Sequence, residues 1–311
     1  MTSNLPKAPT YRSGQGSVAP ADSAAPDHAR AAALQFLGRL AAELSTGTVD
    51  LPCFPNVVIQ IRNALVDPKT TMERAVTIVG AEPRLTARLL QTANSAAFNQ
   101  SGRLITDLKT AITRLGHQLV QSAAMAFAVQ QMKNEESLRA VAAALSDLWE
   151  ESIAVASICQ VLARRTKVGP DEAFLTGLLH GIGRLYIMVR AVSEADALGA
   201  DDLLMDLISG WHASIGQAVL ENWGFAGELA EAVGAQCDIE RERRRGHEVD
   251  LLDVLITGLQ LAGFRQVAAP RKIDVKGMPA SAAMGLSEQV CSEILLHAEY
   301  QLGALQDSLG C

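Results

Sequence analysis

The spacing of aliphatic residues restricts this 311-residue chain more than any other feature. From His28 onward, Leu, Ile, Val and Ala recur three and four positions apart, and no stretch has the period-two alternation of a half-buried strand. Leu34, Leu37, Leu40, Ala41 and Leu44 fall near helical spacing, with Gly47 as a stop. Pro55 can open another helix through Val58, Ile61 and Leu65, and Pro83 a further one through Leu85, Leu89, Leu90 and Ala93, because proline is tolerated in a first turn. Hydrophobic residues make up 49% of the chain and aromatics only 4%, which favours helices packed through small and aliphatic side chains over a β-sandwich. The expected fold is all-α.

Residues 1–27 are rich in Pro, Ser, Ala and Gly without apolar periodicity, so a disordered tail or tether is expected there. Residues 28–134 read as a helical N-terminal subdomain of five or six short helices. Within it, Leu51-Pro-Cys-Phe-Pro is an extended link, since each proline biases its predecessor away from the helical region. Thr70-Thr-Met-Glu73 matches a capping box. Helices are then expected from 83 to about 98, over 107–115 with a break at Gly116, and from 117 to about 132. The polar stretch Lys133-Asn-Glu-Glu-Ser links to a second subdomain, 135–311. Longer helices are expected there over 141–165, 201–223, 228–238, 250–267 and 287–309, with another opened by Pro170 and carrying His180. A loop through Pro270, Gly277 and Pro279 separates the last two. Trp149, Trp211 and Trp223 are expected in the core or between helices.

The net charge of −7 does not favour a phosphate-binding surface, and nucleic acid is an unlikely partner on that ground. The run Glu240-Arg-Glu-Arg-Arg-Arg-Gly-His-Glu reads as a solvated loop or helix end. Five cysteines, odd in number and without a CxxC, are expected to be buried free thiols in a reducing cytosol. The first residues form no apolar leader segment, and no apolar run approaches the roughly 18–20 residues of a bilayer span. A cytoplasmic protein without membrane contact is expected.

Three segments, in order, carry a more specific pattern. They are Leu51-Pro-Cys-Phe-Pro-Asn-Val, Glu82-Pro-Arg-Leu-Thr-Ala-Arg-Leu-Leu-Gln-Thr-Ala-Asn-Ser-Ala and Ile105-Thr-Asp-Leu-Lys-Thr-Ala-Ile-Thr-Arg-Leu-Gly. Together they resemble the HDOD family, the HD-related output domains of bacterial signalling proteins, and the likeness runs over roughly residues 51 to 240. A fourth segment, Leu175-Thr-Gly-Leu-Leu-His-Gly-Ile-Gly-Arg-Leu, resembles the signature helix of the HD phosphohydrolase superfamily, Gly-Leu-Leu-His-Asp-Ile-Gly-Lys. The resemblance implies a helical N-terminal subdomain packed on a degenerate HD-type helical bundle, a bacterial source and a role in signal transduction.

An adjacent His-Asp pair lets one helix end offer a nitrogen and an oxygen to a divalent cation. Here His180 holds the first place, and Gly181 stands where the Asp should be. By the same resemblance Glu151 stands where the superfamily has its first His. His212, followed four residues later by Gly216, is retained. Gln236-Cys237 replaces a His-His pair, and the late Ala-Asp pair falls at Leu259-Gln260. The resemblance therefore implies a vestigial HD site made of Glu151, His180, Gly181, His212, Gln236, Cys237 and Gln260, with no catalytic residue, no metal and no cofactor. The missing Asp also removes a carboxylate able to orient or activate a water. His180 and His212 are expected to be packed and hydrogen-bonded. Ser95 is expected to pack or bond on its helix surface, and Asn94 to tie the two subdomains together. Gly181 and Gly183 follow no strand, so they are not a dinucleotide fingerprint.

These residues are read as a non-enzymatic bacterial signalling module that binds a signalling protein partner, with a cyclic dinucleotide pathway link as the other ligand class. Two rivals remain. One is a metal-dependent phosphohydrolase with a substituted site, using Glu151, His180 and His212. The other is a nucleic-acid-associated regulator resting on Arg241, Arg243, Arg244 and Arg245, whose signature would be salt-dependent DNA binding. A chain starting at His28 is expected to melt at nearly the same temperature as the full chain, because a segment without an apolar face cannot offset its ordering entropy. A large drop in a thermal melt would show that the tail packs.

Overall fold

Helix ends fall where the chain supplies capping groups. The computed structural model describes residues 27–47, 61, 64, 70–95, 98–99, 102–133, 135–194, 201–225, 227–241, 248–265 and 278–309. Among them are thirteen α-helices and no strand. The first five are α1 (Asp27–Ser45), α2 (Met72–Gly80), α3 (Pro83–Asn94), α4 (Leu108–Leu115) and α5 (His117–Lys133). A short 3-10 turn, Glu136–Val141, follows and overlaps only the end of the expected polar link 133–137. Then come α6 (Ala142–Ala163), α7 (Pro170–Leu179), α8 (Ile182–Val192), α9 (Asp201–Asn222), α10 (Glu228–Ala235), α11 (Leu251–Arg265), α12 (Pro279–Ala283) and α13 (Glu288–Leu309). The short α12 lies where only loop was expected. The tail 1–26, the Leu-Pro link 51–60 and the stretches 242–247 and 266–277 lie outside the described residues.

The expected capping box is displaced by one residue. Thr71, with extended backbone, is the N-cap of α2, and its hydroxyl accepts from the backbone N of Arg74 at 3.3 Å. Arg74 thus takes the third position, where a box needs Glu or Gln, and Glu73 instead pairs with Lys109 across to α4 at 2.8 Å. Asp107 caps α4 as its position predicts, accepting from Thr110 N at 2.8 Å. A reciprocal box forms at the start of α11. Asp253 N donates to Asp250 Oδ1 at 2.9 Å, and Asp250 N donates to Asp253 Oδ2 at 3.0 Å.

Helix α3 stops at Asn94, short of the expected 98, because Ser95 turns to an extended backbone. Asn94 Nδ2 donates to the carbonyls of Leu90 and Ile105, each at 2.8 Å, and its Oδ1 accepts from Ile105 N at 2.8 Å. The amide therefore stitches the helix end to the extended segment just ahead of α4. The sequence led to the expectation that Asn94 ties the two subdomains together; among the described residues its bonds stay within the first. Asn99 Nδ2 also donates to Oδ1, at 3.4 Å, so the four bonds of an Asn side chain are all used between Leu90 and Ile105.

Helix α6 is apolar nearly all round and lies at the centre, with α5, α7, α11 and α13 packed about it. Helix α1 packs on α9, burying Phe36 and Leu40. Polar bonds fasten it: Tyr186 Oη donates to Glu43 Oε2 at 2.7 Å, Arg190 pairs with the same oxygen at 2.9 Å, and Asn222 Nδ2 donates to Leu44 O at 3.0 Å. Arg39 pairs with Glu194 beside them. No helix among the described residues is long and apolar enough to cross a membrane.

Leu89 is fully buried beside Leu85 and Ala93, the face its spacing predicts. Leu89→Ala is expected to destabilise the fold by about 2–5 kcal/mol, the range for deleting a buried leucine. Urea titration is the check; a loss below about 0.5 kcal/mol would contradict this packing.

Candidate functional site

Two places where helix backbones touch assemble the site. A Cβ on Gly177 of α7 would lie 2.7 Å from Ala156 Cα of α6. A Cβ on Gly183 of α8 would lie 1.8 Å from His212 O and 2.7 Å from Gly216 N of α9. No residue but glycine fits at either crossing. The first sets the end of α7 against α6, which carries Glu151. The second sets the start of α8 against the turn of α9 that carries His212.

His180 follows α7 and is buried to 1% exposure. Its Nδ1 lies 2.7 Å from Gly177 O, and a carbonyl only accepts, so Nδ1 carries the proton. The bare Nε2 accepts from Arg184 Nη2 at 3.0 Å. Arg184, one turn further along, also holds the Glu151 carboxylate with both terminal nitrogens: Nη1 to Oε2 at 3.0 Å and Nη2 to Oε1 at 3.0 Å. Burial opposes ionisation of Glu151, but the charge of the paired Arg184 guanidinium prevails and holds its carboxyl well below the usual range.

The place next to His180 is closed differently. Gly181 has φ −86° and ψ 3°, so its backbone would accept any residue. A Cβ there would meet Leu148 Cδ1 at 2.6 Å and Ser152 Oγ at 3.3 Å, both from α6. The flank of Gly181 is a small apolar recess lined by Leu148, Trp149, Leu178 and Leu185.

His212 Nδ1 donates to Ile208 O at 2.8 Å, and its Nε2 lies 3.7 Å from Cys237 Sγ. Burial, together with the nearby charge of Arg184, pushes the imidazole below its ordinary value. Partial desolvation of its sulfur beside His212 pushes the Cys237 thiol up, against the pull of Arg184. Gln236 is buried and donates to His180 O at 3.0 Å and Val233 O at 2.8 Å, closing the ends of both α7 and α10.

Five of the expected residues thus come together with Gly181: Glu151, His180, His212, Gln236 and Cys237. Gln260, on α11, makes no hydrogen bond to them among the described residues. Cys159 and Cys291 are buried free thiols as expected, but Cys237 is exposed. Trp149 and Trp223 are buried, whereas Trp211, expected in packing, is 50% exposed because it lies on the outer face of α9. Arg241 of the basic run pairs with Asp250, and Arg243, Arg244 and Arg245 lie outside the described residues.

A divalent ion does not fit these residues. The Nε2 lone pair of His180 and both Glu151 oxygens face a guanidinium, and Leu148 takes the space an Asp at 181 would need. No group of three or more His, Cys, Asp or Glu is set to hold a metal among the described residues. Arg184 and Leu148 were not singled out by sequence reasoning. Arg184 had a signal: it stands one turn after His180, at the Lys place of the HD signature. Leu148 had none, because its role depends on how α6 meets Gly181.

The described residues thus form an all-helical bundle in which ligand-type side chains gather at a helix end and are engaged by the chain's own groups. The chain belongs to the HDOD domain family, whose profile matches residues 51–239, more than half of the sequence. An uncharacterised protein from Treponema pallidum is 23% identical over 205 residues, 60% of this chain but only 37% of that protein's length. A crystal structure from Shewanella amazonensis, provisionally named a metal-dependent phosphohydrolase, superposes with a TM-score of 0.65 at 23% identity, covering 90% of this chain and 99% of that one. Another, from Marinobacter aquaeolei and provisionally named a signal transduction protein, gives 0.59 at 20% identity, covering 92% of this chain and 66% of the other. At these identities the likeness is one of fold.

Gly181→Asp is expected to destabilise the protein by about 1–3 kcal/mol, because the new side chain overpacks Leu148 and carries a carboxylate into an apolar recess. In a double-mutant cycle by urea melting, Leu148→Ala should relieve part of that loss. Strict additivity of the two changes would place residue 181 outside this recess.

Proposed function

We propose that this chain is a non-enzymatic signal-transduction module that acts by binding a protein partner, and that Glu151, His180, Gly181, His212, Gln236, Cys237 and Gln260 are remnants of an HD-type metal site. The observation that carries the reading is the engagement of Glu151 and His180 by Arg184. Hydrolysis by a metal-activated water needs an ion with an open position, and these groups leave none. Membership of the HDOD family and the provisional signalling name of the Marinobacter relative support the signalling role. A cyclic dinucleotide remains the second ligand class, resting on the association of such domains with second-messenger pathways.

The rival reading, a metal-dependent phosphohydrolase, draws on the provisional name of the Shewanella relative. The two are separated by assaying the purified protein on p-nitrophenyl phosphate and bis-p-nitrophenyl phosphate with Mn²⁺, Mg²⁺, Fe²⁺ or Zn²⁺. No turnover above background is expected. Metal-dependent turnover that disappears in His180→Ala would establish the rival. For the partner, proteins captured from the source bacterium should bind saturably when purified. Saturable binding of a cyclic dinucleotide, with no captured protein binding in pure form, would transfer the role to the second ligand class.

A further inference from the structure

We infer that the Arg184 guanidinium is a built-in cation that has taken the place of a divalent ion, so that the native chain refuses metal and a variant without the guanidinium accepts one. The inference does not depend on whether the module binds a protein or a nucleotide.

Three features of the cluster carry it. First, the acceptors converging on Arg184 are those a transition-metal ion takes: two carboxylate oxygens of Glu151 and one imidazole nitrogen of His180, each 3.0 Å from a terminal guanidinium nitrogen. Second, His180 keeps the outer bond of a metal-binding histidine. Its Nδ1–H is spent on the Gly177 carbonyl at 2.7 Å, which aims the Nε2 lone pair at the centre of the cluster. A histidine merely packed in a core has no need of that orientation towards a cation. Third, the guanidinium is held by its terminal nitrogens alone, because Arg184 Nε is buried without a hydrogen-bond partner. The side chain is thus placed for the two acceptors at its tip, at the expense of its own third donor position.

The plain alternative is a surface ion pair of little consequence. Exposed pairs contribute little because water competes for both charges. Here the Arg184 and Glu151 side chains are only 23% and 28% exposed, and His180 is 1% exposed. Removing the guanidinium would leave a mostly buried carboxylate uncompensated next to an imidazole lone pair, and a divalent cation is the species that satisfies both.

The test uses the full chain as wild type, Arg184→Ala and the double variant Arg184→Ala/Glu151→Gln. Each is melted in EDTA and in Co²⁺, and the visible absorption of Co²⁺ is recorded. The wild type should show no Co²⁺ band and no shift of melting temperature. Arg184→Ala should melt lower in EDTA by about 5 °C or more. It should recover saturably with Co²⁺ and show a Co²⁺ band that is lost in the double variant. Should Arg184→Ala fail to fold, Arg184→Gln keeps most of the volume without the charge and reports the same band. A wild-type protein that binds Co²⁺ as tightly as the variant would overturn the inference. So would a variant that gains no Co²⁺ band, or a band that survives Glu151→Gln, since cobalt would then sit at Cys237 and His212 alone.

Discussion

The site depends on the contact between α8 and α9 at Gly183. With no Cβ in the way, the backbone of α8 lies directly on the His212 carbonyl and the Gly216 amide. Close packing of this kind gains dispersion along the whole crossing and leaves little freedom in how either helix is rotated. Arg184 is the next residue, so its direction towards α6 is set by that contact. The Gly177–Ala156 approach does the same for the end of α7 and therefore for His180. Small residues here act as a gauge that determines which side chains can meet.

Once gathered, the polar groups leave few obligations open. His180 uses both ring nitrogens, its carbonyl is taken by Gln236, and the Glu151 charge is met by Arg184. A mostly buried ion pair is not necessarily more stable than an apolar replacement of the same shape. Its loss is costly in another sense: removing one member strands the other. The cluster is therefore self-locking, because each single change must pass through a state with a stranded charge or an unmet lone pair.

Local signals were legible in the sequence, and contacts between distant segments were not. The caps and stops at Asp107, Gly116, Pro83 and Pro170 depend on neighbours within one turn, and those helices begin or end as read. The capping box at 70–73 slipped because Thr70 and Thr71 both qualify, and backbone conformation decides between them. Asn94 was recognised as a polar tie, but its partner was misplaced, because the sequence does not reveal that Ile105 returns to the end of α3. Gly181 was legible as a lost ligand. That Leu148 closes over it depends on α6, some thirty residues earlier. Arg184 does not stand out among ligand-type residues, because those bind a cation, whereas here the cation itself is encoded.

Helix α1 lies outside the matched family region, yet it is bonded to Tyr186, Arg190, Glu194 and Asn222, residues 143 to 178 positions away for the paired hydrogen bonds. Distance along the chain becomes time during synthesis. At roughly 5–20 residues per second, the surface that receives α1 is completed some 10–30 s after α1 itself. Through that interval Phe36 and Leu40 lack the cover that α9 gives them. Helix α1 thus docks only after much of the chain that follows it is made, and the nascent chain carries an apolar stripe that a chaperone can hold until α8 and α9 are in place.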